Sequence, residues 1–239
     1  QGVGIGTISD CLAAVKYNVY DHKKFTMAEL LQALKDNFVG HEDIHNLVCN
    51  KTPKYGNDDD YADDLMKRVF YLYQEEITDR PNMKGGTWRV EMLPTTCHVY
   101  FGDVMIASAN GRLAHKPVSE GISPEKGADV NGPTAVIKSC AKMDHLKTGG
   151  TLLNQKFLPE TVAGEEGLDQ LANYIRTYFN MDGHHVQFNV VHKELLIDAQ
   201  EHPEEYKDLI VRVAGYSDYF RNLDRPLQDE IIMRTEQEF

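Results

Sequence analysis

Alternation between strand-like and helical segments in the second half of this chain constrains its fold more than any other sequence feature. The predicted order is strand 151–157, helix 165–179, strand 184–191, helix 193–200, strand 209–213 and helix 226–235. Strands that are separated by a helix pair in parallel, because the chain must cross the sheet between them. The pattern therefore predicts an α/β fold with parallel strand pairing.

The first half of the chain carries more helical patterns. Helices are predicted at 7–20, from residue 26 onward and after the acidic run 57–60, and strands are predicted at 88–92 and 98–106. Thr26 and Glu29 have the spacing of a capping box, which marks the start of the second helix. The Gly-, Pro-, Ser- and Asn-rich stretch 107–147 is predicted to form ordered loops.

Composition and charge exclude several classes of partner. Among 239 residues, 37 are acidic and 25 basic, which gives a net charge of −12. A phosphate backbone would repel such a chain, so we expect no nucleic-acid partner. No stretch approaches the roughly 18 apolar residues of a membrane-spanning helix, so we expect no membrane partner. Residues 1–6 carry no signal-peptide pattern and no leading methionine, and we expect the chain to begin inside a longer protein.

Four cysteines are present: Cys11, Cys49, Cys97 and Cys140. They lie far apart and form no CxxC pair, so the sequence predicts neither a zinc ribbon nor an iron–sulfur cluster. So few cysteines in a chain of this size favour a reducing, cytoplasmic environment over a disulfide scaffold. We interpret each of them as a small buried apolar residue.

The segment from His41 to His45 matches the HExxH pattern of zinc proteases. Histidines at i and i+4 share one helix face and can chelate zinc, with Glu42 as the base. However, the segment follows Gly40 directly, which places His41 at a helix start, and no third ligand stands at a suitable spacing. The interpretation favours a chance match, and we expect no metal.

Two further local patterns permit a binding or a structural interpretation. The glycines of residues 2–6 could cradle a phosphate, but their spacing is typical instead of a tight turn before a helix. Asp58, Asp59 and Asp60 could bind a hard cation, but carboxylates at a helix start also cap its free N–H groups. The structural interpretation is favoured in both cases.

The C-terminal segment is the most informative one. Residues 208–213 predict a buried strand, and 214–217 predict a tight turn in which Gly215 is free to adopt a positive φ. Residues 211–217, together with Phe220, 228–232 and 234–235, resemble the signature of the glycyl radical enzymes. Further blocks of that family resemble this chain at 53–61, 110–112, 117–124, 151–154 and 180–185.

The resemblance implies a fold and a radical site. It implies the C-terminal part of a ten-stranded α/β barrel, with residues 1–117 as the end of the barrel domain and 118–239 as the glycine radical domain. Gly215 would store the radical, with no cofactor bound to the chain. A separate activating enzyme, which uses S-adenosylmethionine and an iron–sulfur cluster, would install the radical. The family also implies a homodimer in the cytoplasm of an anaerobic bacterium.

The resemblance also implies an activity. The blocks 1–8, 16–18, 50–60, 93–98 and 234–237 are most similar to dehydratases that convert trans-4-hydroxy-L-proline to 1-pyrroline-5-carboxylate and water. Glycerol and propanediol dehydratases and choline trimethylamine-lyase share most of these blocks and stay open as alternatives. A stand-alone radical domain that repairs an oxidised partner is a further alternative.

Other parts of the family's active site are missing or ambiguous here. Dehydratases of the family place a thiyl cysteine and an acid–base glutamate in a Gly-Cys-Val-Glu loop, and this sequence contains no such loop. No cysteine is therefore assigned that role, and we expect the chain to be inactive alone. Leu93-Pro94-Thr95-Thr96 matches a loop that faces substrate. Thr95 could donate a hydrogen bond to a substrate carboxylate or hydroxyl, or the segment could be a capped turn.

Overall fold

The protein has a mixed α/β fold in a computed structural model that describes residues 1–93 and 95–239. The α-helices are α1 (Ile5–Ala14), α2 (Met27–Lys35), α3 (Glu42–Asn50), α4 (Asp60–Ile77), α5 (Cys97–Asp103), α6 (Pro133–Ala141), α7 (Gly164–Asn180), α8 (Lys193–Glu201) and α9 (Arg225–Met233). The strands are β1 (Leu153–Phe157), β2 (Val186–Val190), β3 (Ile210–Arg212), β4 (Ser217–Tyr219) and β5 (Glu236–Gln237). A π-helical segment, Val15–Asp21, continues α1.

The predicted parallel pairing is confirmed in a small sheet. Strand β1 lies between β2 and β5 and pairs in parallel with both. Helix α7 makes the crossover from β1 to β2 and covers the sheet, with the rings of Tyr174 and Phe157 in edge contact at 5.6 Å. The register sets Asn154 of β1 opposite Gln187 of β2. The predicted parallel pairing is wrong for the strand at 209–213, because β3 pairs with β4 in a separate antiparallel hairpin.

Apolar side chains gather in three clusters that fix the helices around these strands. The first surrounds β1 and takes Phe70 from α4 and Tyr178 from α7. The second lies under the hairpin and takes Leu196 from α8 and Ile231 from α9. The third packs α1, α2 and α3 around Leu30. Because the hairpin and α9 share one core, burial of α9 also positions the hairpin.

Most predicted helices of the first half are confirmed. Helix α2 starts with the complete capping box: the Thr26 side chain accepts from the Glu29 N–H at 3.2 Å, and the Glu29 carboxylate accepts from the Thr26 N–H at 2.6 Å. Helix α4 starts after the acidic run as predicted. In the described ranges, no helix combines the length and apolar character needed to cross a membrane.

Of the three predictions for residues 88–147, one is wrong and two hold in part. The segment 98–106 is helix α5 followed by a turn, and its buried residues His98, Val99 and Gly102 have helical rather than alternating spacing. The stretch 107–147 contains helix α6, which starts at Pro133. The segment 88–92 is extended and lies beside residues 149–152, where the Val90 carbonyl accepts from the Gly149 N–H and the Met92 N–H donates to the Gly150 carbonyl, both at 2.8 Å. Met92 and Thr151 form a single parallel bridge, so the segment is not a full sheet strand.

Candidate functional site

Gly215 lies at the tip of the β3–β4 hairpin. The pair Arg212 and Ser217 closes the ladder, and the Val213 N–H donates to the Tyr216 carbonyl at 2.9 Å. Gly215 has φ +79°, a conformation that side chains other than glycine rarely adopt. The predicted strand and tight turn are therefore confirmed, but the strand is not buried throughout as predicted: Val211 is buried and Ile210 is exposed.

The space around the Gly215 Cα is open. A Cβ at this position would meet Leu93 Cδ2 at 3.8 Å, an ordinary van der Waals distance. Gly215 is exposed, whereas Val213 and Ala214 just before it are fully buried. The backbone conformation at position 215 therefore favours glycine, and steric contact with neighbouring side chains does not account for it.

The Gln187 side chain joins the hairpin to the parallel sheet. Its Oε1 accepts from the Gly215 N–H at 3.2 Å and from Arg212 Nε at 2.7 Å. Its Nε2 donates to the Val213 carbonyl at 3.5 Å and to Asn154 Oδ1 on β1. Gln187 is buried, so both ends of its amide are satisfied by protein groups.

Asn189, two residues further along β2, makes the corresponding contacts to the strand before the turn. Its Oδ1 accepts from the Arg212 N–H at 2.7 Å, and its Nδ2 donates to the Arg212 carbonyl at 2.8 Å. Because side chains alternate along a strand, Gln187 and Asn189 project from the same face of β2. Asn189 thus docks β3 against the sheet, and Gln187 docks the turn.

A buried ionic cluster supports the other side of the turn. Arg234, just after α9, donates to the Val213 carbonyl at 2.9 Å and to the Glu230 carboxylate at 2.9 Å. Lys126 Nζ and His98 Nε2 lie 3.8 and 3.5 Å from Glu230 Oε1. Burial disfavours the carboxylate, but the surrounding Arg234, His98 and Lys126 hold the pKa of Glu230 well below its ordinary value.

The segment 93–96 borders the tip of the hairpin. Leu93 faces Gly215, and Thr95 is exposed two residues further on. Thr96 stands before the first residue of α5 without a side-chain capping bond, so the expected side-chain cap is not found. Pro94 lies outside the described residues. Thr95 is therefore close in sequence to a residue at the site, and its own role stays a prediction.

The other predicted candidates have structural partners. His41 Nε2 lies 3.0 Å from Asp36 Oδ2, and His45 Nε2 lies 2.8 Å from the Gly111 carbonyl. The described residues contain no group of three or more His, Cys, Asp or Glu side chains able to hold a metal.

The acidic run and the N-terminal glycines are also part of the fold. Asp59 caps α4 by accepting from the Tyr61 N–H at 2.9 Å, as predicted. Asp58 and Asp60 instead pair with Lys142 at 3.0 and 2.7 Å. Gly4 precedes α1 with φ +80°, which confirms the predicted turn.

The cysteines differ in burial. Cys140 is buried, and Cys11, Cys49 and Cys97 are partly buried, all as free thiols. Burial raises the pKa of the Cys11 thiol to about 11, and that of Cys140 further still. The interpretation as buried apolar residues holds fully for Cys140 alone.

Sequence reasoning did not single out Gln187, Asn189 or Arg234 as site residues. The sequence does contain a signal, because Gln187 and Asn189 are polar residues at alternate positions of a predicted strand. Such residues imply a polar partner if their face of the strand is buried. The partner is the backbone of the hairpin, and it cannot be named before the strands are placed.

Comparison with known proteins assigns the class. The family described as pyruvate formate lyase-like matches residues 1–102, and the family described as glycine radical matches residues 118–221. The chain belongs to the glycyl radical enzymes.

Particular members of this class are very similar to the chain. It is 70% identical to trans-4-hydroxy-L-proline dehydratase of Clostridioides difficile over 239 residues, which are 100% of this chain and 30% of that protein. The crystal structure of hydroxyproline dehydratase from the same organism, with trans-4-hydroxy-L-proline bound, matches with a TM-score of 0.99 and the same coverage. The glycerol-bound B12-independent glycerol dehydratase of Clostridium butyricum is 44% identical, with a TM-score of 0.96 over 100% of this chain and 30% of that one. The chain thus spans about 30% of the length of these relatives.

Proposed function

We propose that this chain is the radical-storing part of a glycyl radical dehydratase and that Gly215 carries the radical. The observation that carries the proposal is the hairpin tip. Gly215 has a positive φ, an unobstructed Cα and a hydrogen-bonded N–H, within the segment that the glycine radical family matches.

The chemistry of glycine explains this choice of residue. Its Cα carries two hydrogens, and removal of one leaves a planar radical that is delocalised between the amide nitrogen and the carbonyl. A side chain would crowd that planar centre. We propose that a separate activating enzyme with S-adenosylmethionine and an iron–sulfur cluster removes the hydrogen, so that this chain supplies the position of the radical.

The proposed substrate is trans-4-hydroxy-L-proline, which loses water to give 1-pyrroline-5-carboxylate. Support comes from the 70% identity to a dehydratase of that substrate, against 44% to a glycerol dehydratase. Thr95 lies two residues from Leu93, which faces Gly215. We propose that the Thr95 hydroxyl donates a hydrogen bond to the substrate carboxylate or hydroxyl.

The proposal includes an architecture. Residues 1–117 would complete a ten-stranded α/β barrel, and 118–239 would form the glycine radical domain. The ranges of the two family matches, 1–102 and 118–221, support a division between them. The thiyl cysteine and the acid–base glutamate are proposed to lie in the part of the relatives that this chain does not cover. By analogy with the family, the assembly would be a homodimer.

Anaerobic activation of the full-length enzyme that contains this chain tests the proposal. We expect a glycine-centred doublet in electron paramagnetic resonance and conversion of trans-4-hydroxy-L-proline, with the product detected after reduction to proline. Absence of any organic radical after activation would contradict the role of Gly215. Turnover of glycerol, propanediol or choline with hydroxyproline left untouched would contradict the substrate and keep the radical assignment.

A further inference from the structure

Among the described residues, one side chain hydrogen-bonds the backbone of Gly215, and it is Gln187. We propose that Gln187 is a positioning residue that fixes the peptide group in front of the radical carbon. The inference rests on the proposed role of Gly215 and adds a residue that controls the geometry and persistence of the radical.

The orientation of the Gln187 amide follows from its neighbours. The Gly215 N–H and Arg212 Nε can only donate, and both face Oε1, at 3.2 and 2.7 Å. The Val213 carbonyl can only accept, and it faces Nε2 at 3.5 Å. Rotating the Gln187 amide by half a turn would place its N–H groups against the Gly215 and Arg212 donors. Its oxygen would then face the Val213 carbonyl, which is also an acceptor. The oxygen is therefore held toward Gly215.

The support behind Gln187 is rigid. Its position on β2 is set by parallel pairing with β1, where Asn154 stands directly opposite and accepts from Gln187 Nε2. Both residues are buried, with 6% of each exposed, so few other rotamers are open to them. The acceptor for the Gly215 N–H thus belongs to the sheet and not to the turn.

A fixed peptide plane matters for a radical at the Gly215 Cα. The unpaired electron delocalises onto the nitrogen only while the peptide group before Gly215 is coplanar with the radical centre. Gly215 has φ +79° in the unactivated protein, so the Cα–C bond must turn about N–Cα before the radical centre is coplanar with that peptide group. An acceptor on the N–H holds the peptide plane in place during this turn and increases electron donation from nitrogen. Without the acceptor, the peptide group of the exposed tip is free to reorient, and the stabilisation weakens.

Two substitutions of Gln187 test the role in the full-length enzyme. Gln187→Met keeps the size and removes both polar atoms. Gln187→Glu keeps an acceptor oxygen toward the Gly215 N–H, and as the protonated acid it also keeps a donor toward the Val213 carbonyl. We expect Gln187→Met to change the α-proton splitting and to shorten the radical lifetime about tenfold, the usual size of effect for one buried hydrogen bond. Gln187→Glu is expected to restore the splitting. Turnover per radical should fall in Gln187→Met with little change in KM.

Asn189→Leu is the matched control, because Asn189 lies on the same face of the same strand but bonds the Arg212 backbone instead of Gly215. We expect it to lower stability while the splitting stays that of the wild type. The proposal is overturned if Gln187→Met has the wild-type splitting and lifetime, or if Asn189→Leu changes the spectrum equally. A wild-type enzyme without any glycine radical would instead contradict the proposed function.

Discussion

The Arg234 guanidinium donates to the Val213 carbonyl at 2.9 Å, so the residue that follows the last helix holds the loop that carries Gly215. The same guanidinium is paired with Glu230, which is fully buried. The hairpin is therefore held from two directions, by the sheet through Gln187 and by the C-terminal helix through Arg234. The stability of the loop around Gly215 depends on both.

Removal of the Arg234 charge is expected to destabilise the protein strongly. In Arg234→Met the buried Glu230 loses its closest cation and the Val213 carbonyl loses a donor, a loss of about 3–5 kcal/mol. Arg225→Met is the matched control, since Arg225 also pairs with an acid four residues away on α9 but is 65% exposed. We expect the control to lose less than about 1 kcal/mol. Denaturant unfolding of both variants checks the difference, and equal losses would contradict the ionic cluster's role.

Gly215→Ala is expected to fold and to be unable to hold the radical. The position has φ +79°, and among the described residues no atom is closer than 3.8 Å to a new Cβ, so the cost is that of the left-handed backbone, about 1–2 kcal/mol. Gly127→Ala is a control with the same kind of conformation, φ +74°, and open space around it. Both variants should lose similar stability in thermal unfolding.

Spectroscopy separates these two variants. After anaerobic activation, Gly127→Ala should show the glycine doublet and Gly215→Ala should not. A doublet that survives in Gly215→Ala would remove this residue from its proposed role. A doublet lost from both variants would mean that the loss of stability common to them, and not the identity of Gly215, prevents radical formation.

The sequence motif of residues 208–217 predicted the position of Gly215, whereas the hydrogen-bond partners of this residue depend on contacts between distant parts of the chain. The strand, turn and glycine of residues 208–217 are contiguous, so their pattern is visible in the sequence. Gln187 is 28 residues away from Gly215, and only the β1–β2 register brings it there. The acceptor of the Gly215 N–H could not be named without that register.

Helix α5 shows why the first half was harder to predict. Its aromatic and β-branched residues favour a strand, as in Val99-Tyr100-Phe101. Yet His98, Val99 and Gly102 are the buried positions, and this spacing is helical. Glu230 of α9 lies against His98, and the Lys116 carbonyl packs against Gly102. Tertiary contacts thus override the local β propensity.

Asp129 is expected to make stability depend on pH in mildly acidic solution. Burial raises the pKa of its carboxyl to about 6, although Thr235 and Gln237 donate to it. A folded-state pKa above the unfolded value of 3.8 means that the folded protein binds the proton more tightly. The contribution of Asp129 to the free energy of unfolding is fully present below about pH 4. It is lost as the pH rises through 6, which lowers the free energy of unfolding by about 2–3 kcal/mol.

Asp129→Asn isolates this contribution. The amide keeps one oxygen for Gln237 and does not titrate, so the variant should gain stability relative to wild type as pH rises from 4 to 7. Asp10, whose pKa is raised by burial to about 7, titrates in both proteins and cancels in the difference. Urea unfolding of both proteins at several pH values measures this difference in the free energy of unfolding. A difference that is constant with pH would contradict the assignment.

Oxygen should cut the activated protein at Gly215. A carbon radical in the main chain adds O₂ to give a peroxyl species, and its breakdown cleaves the chain where the radical stood. The released piece, 216–239, contains α9, whose Ile231 belongs to the core under the hairpin, and β5, which pairs with β1. It also contains Arg234, so the remaining chain loses the contact that holds the Val213 carbonyl. Activity should therefore be lost irreversibly. Unactivated protein has an ordinary glycine and should stay intact in air. Mass spectrometry of activated and unactivated samples after exposure to air tests this difference. Cleavage elsewhere, or equal cleavage in both samples, would exclude Gly215 as the radical position.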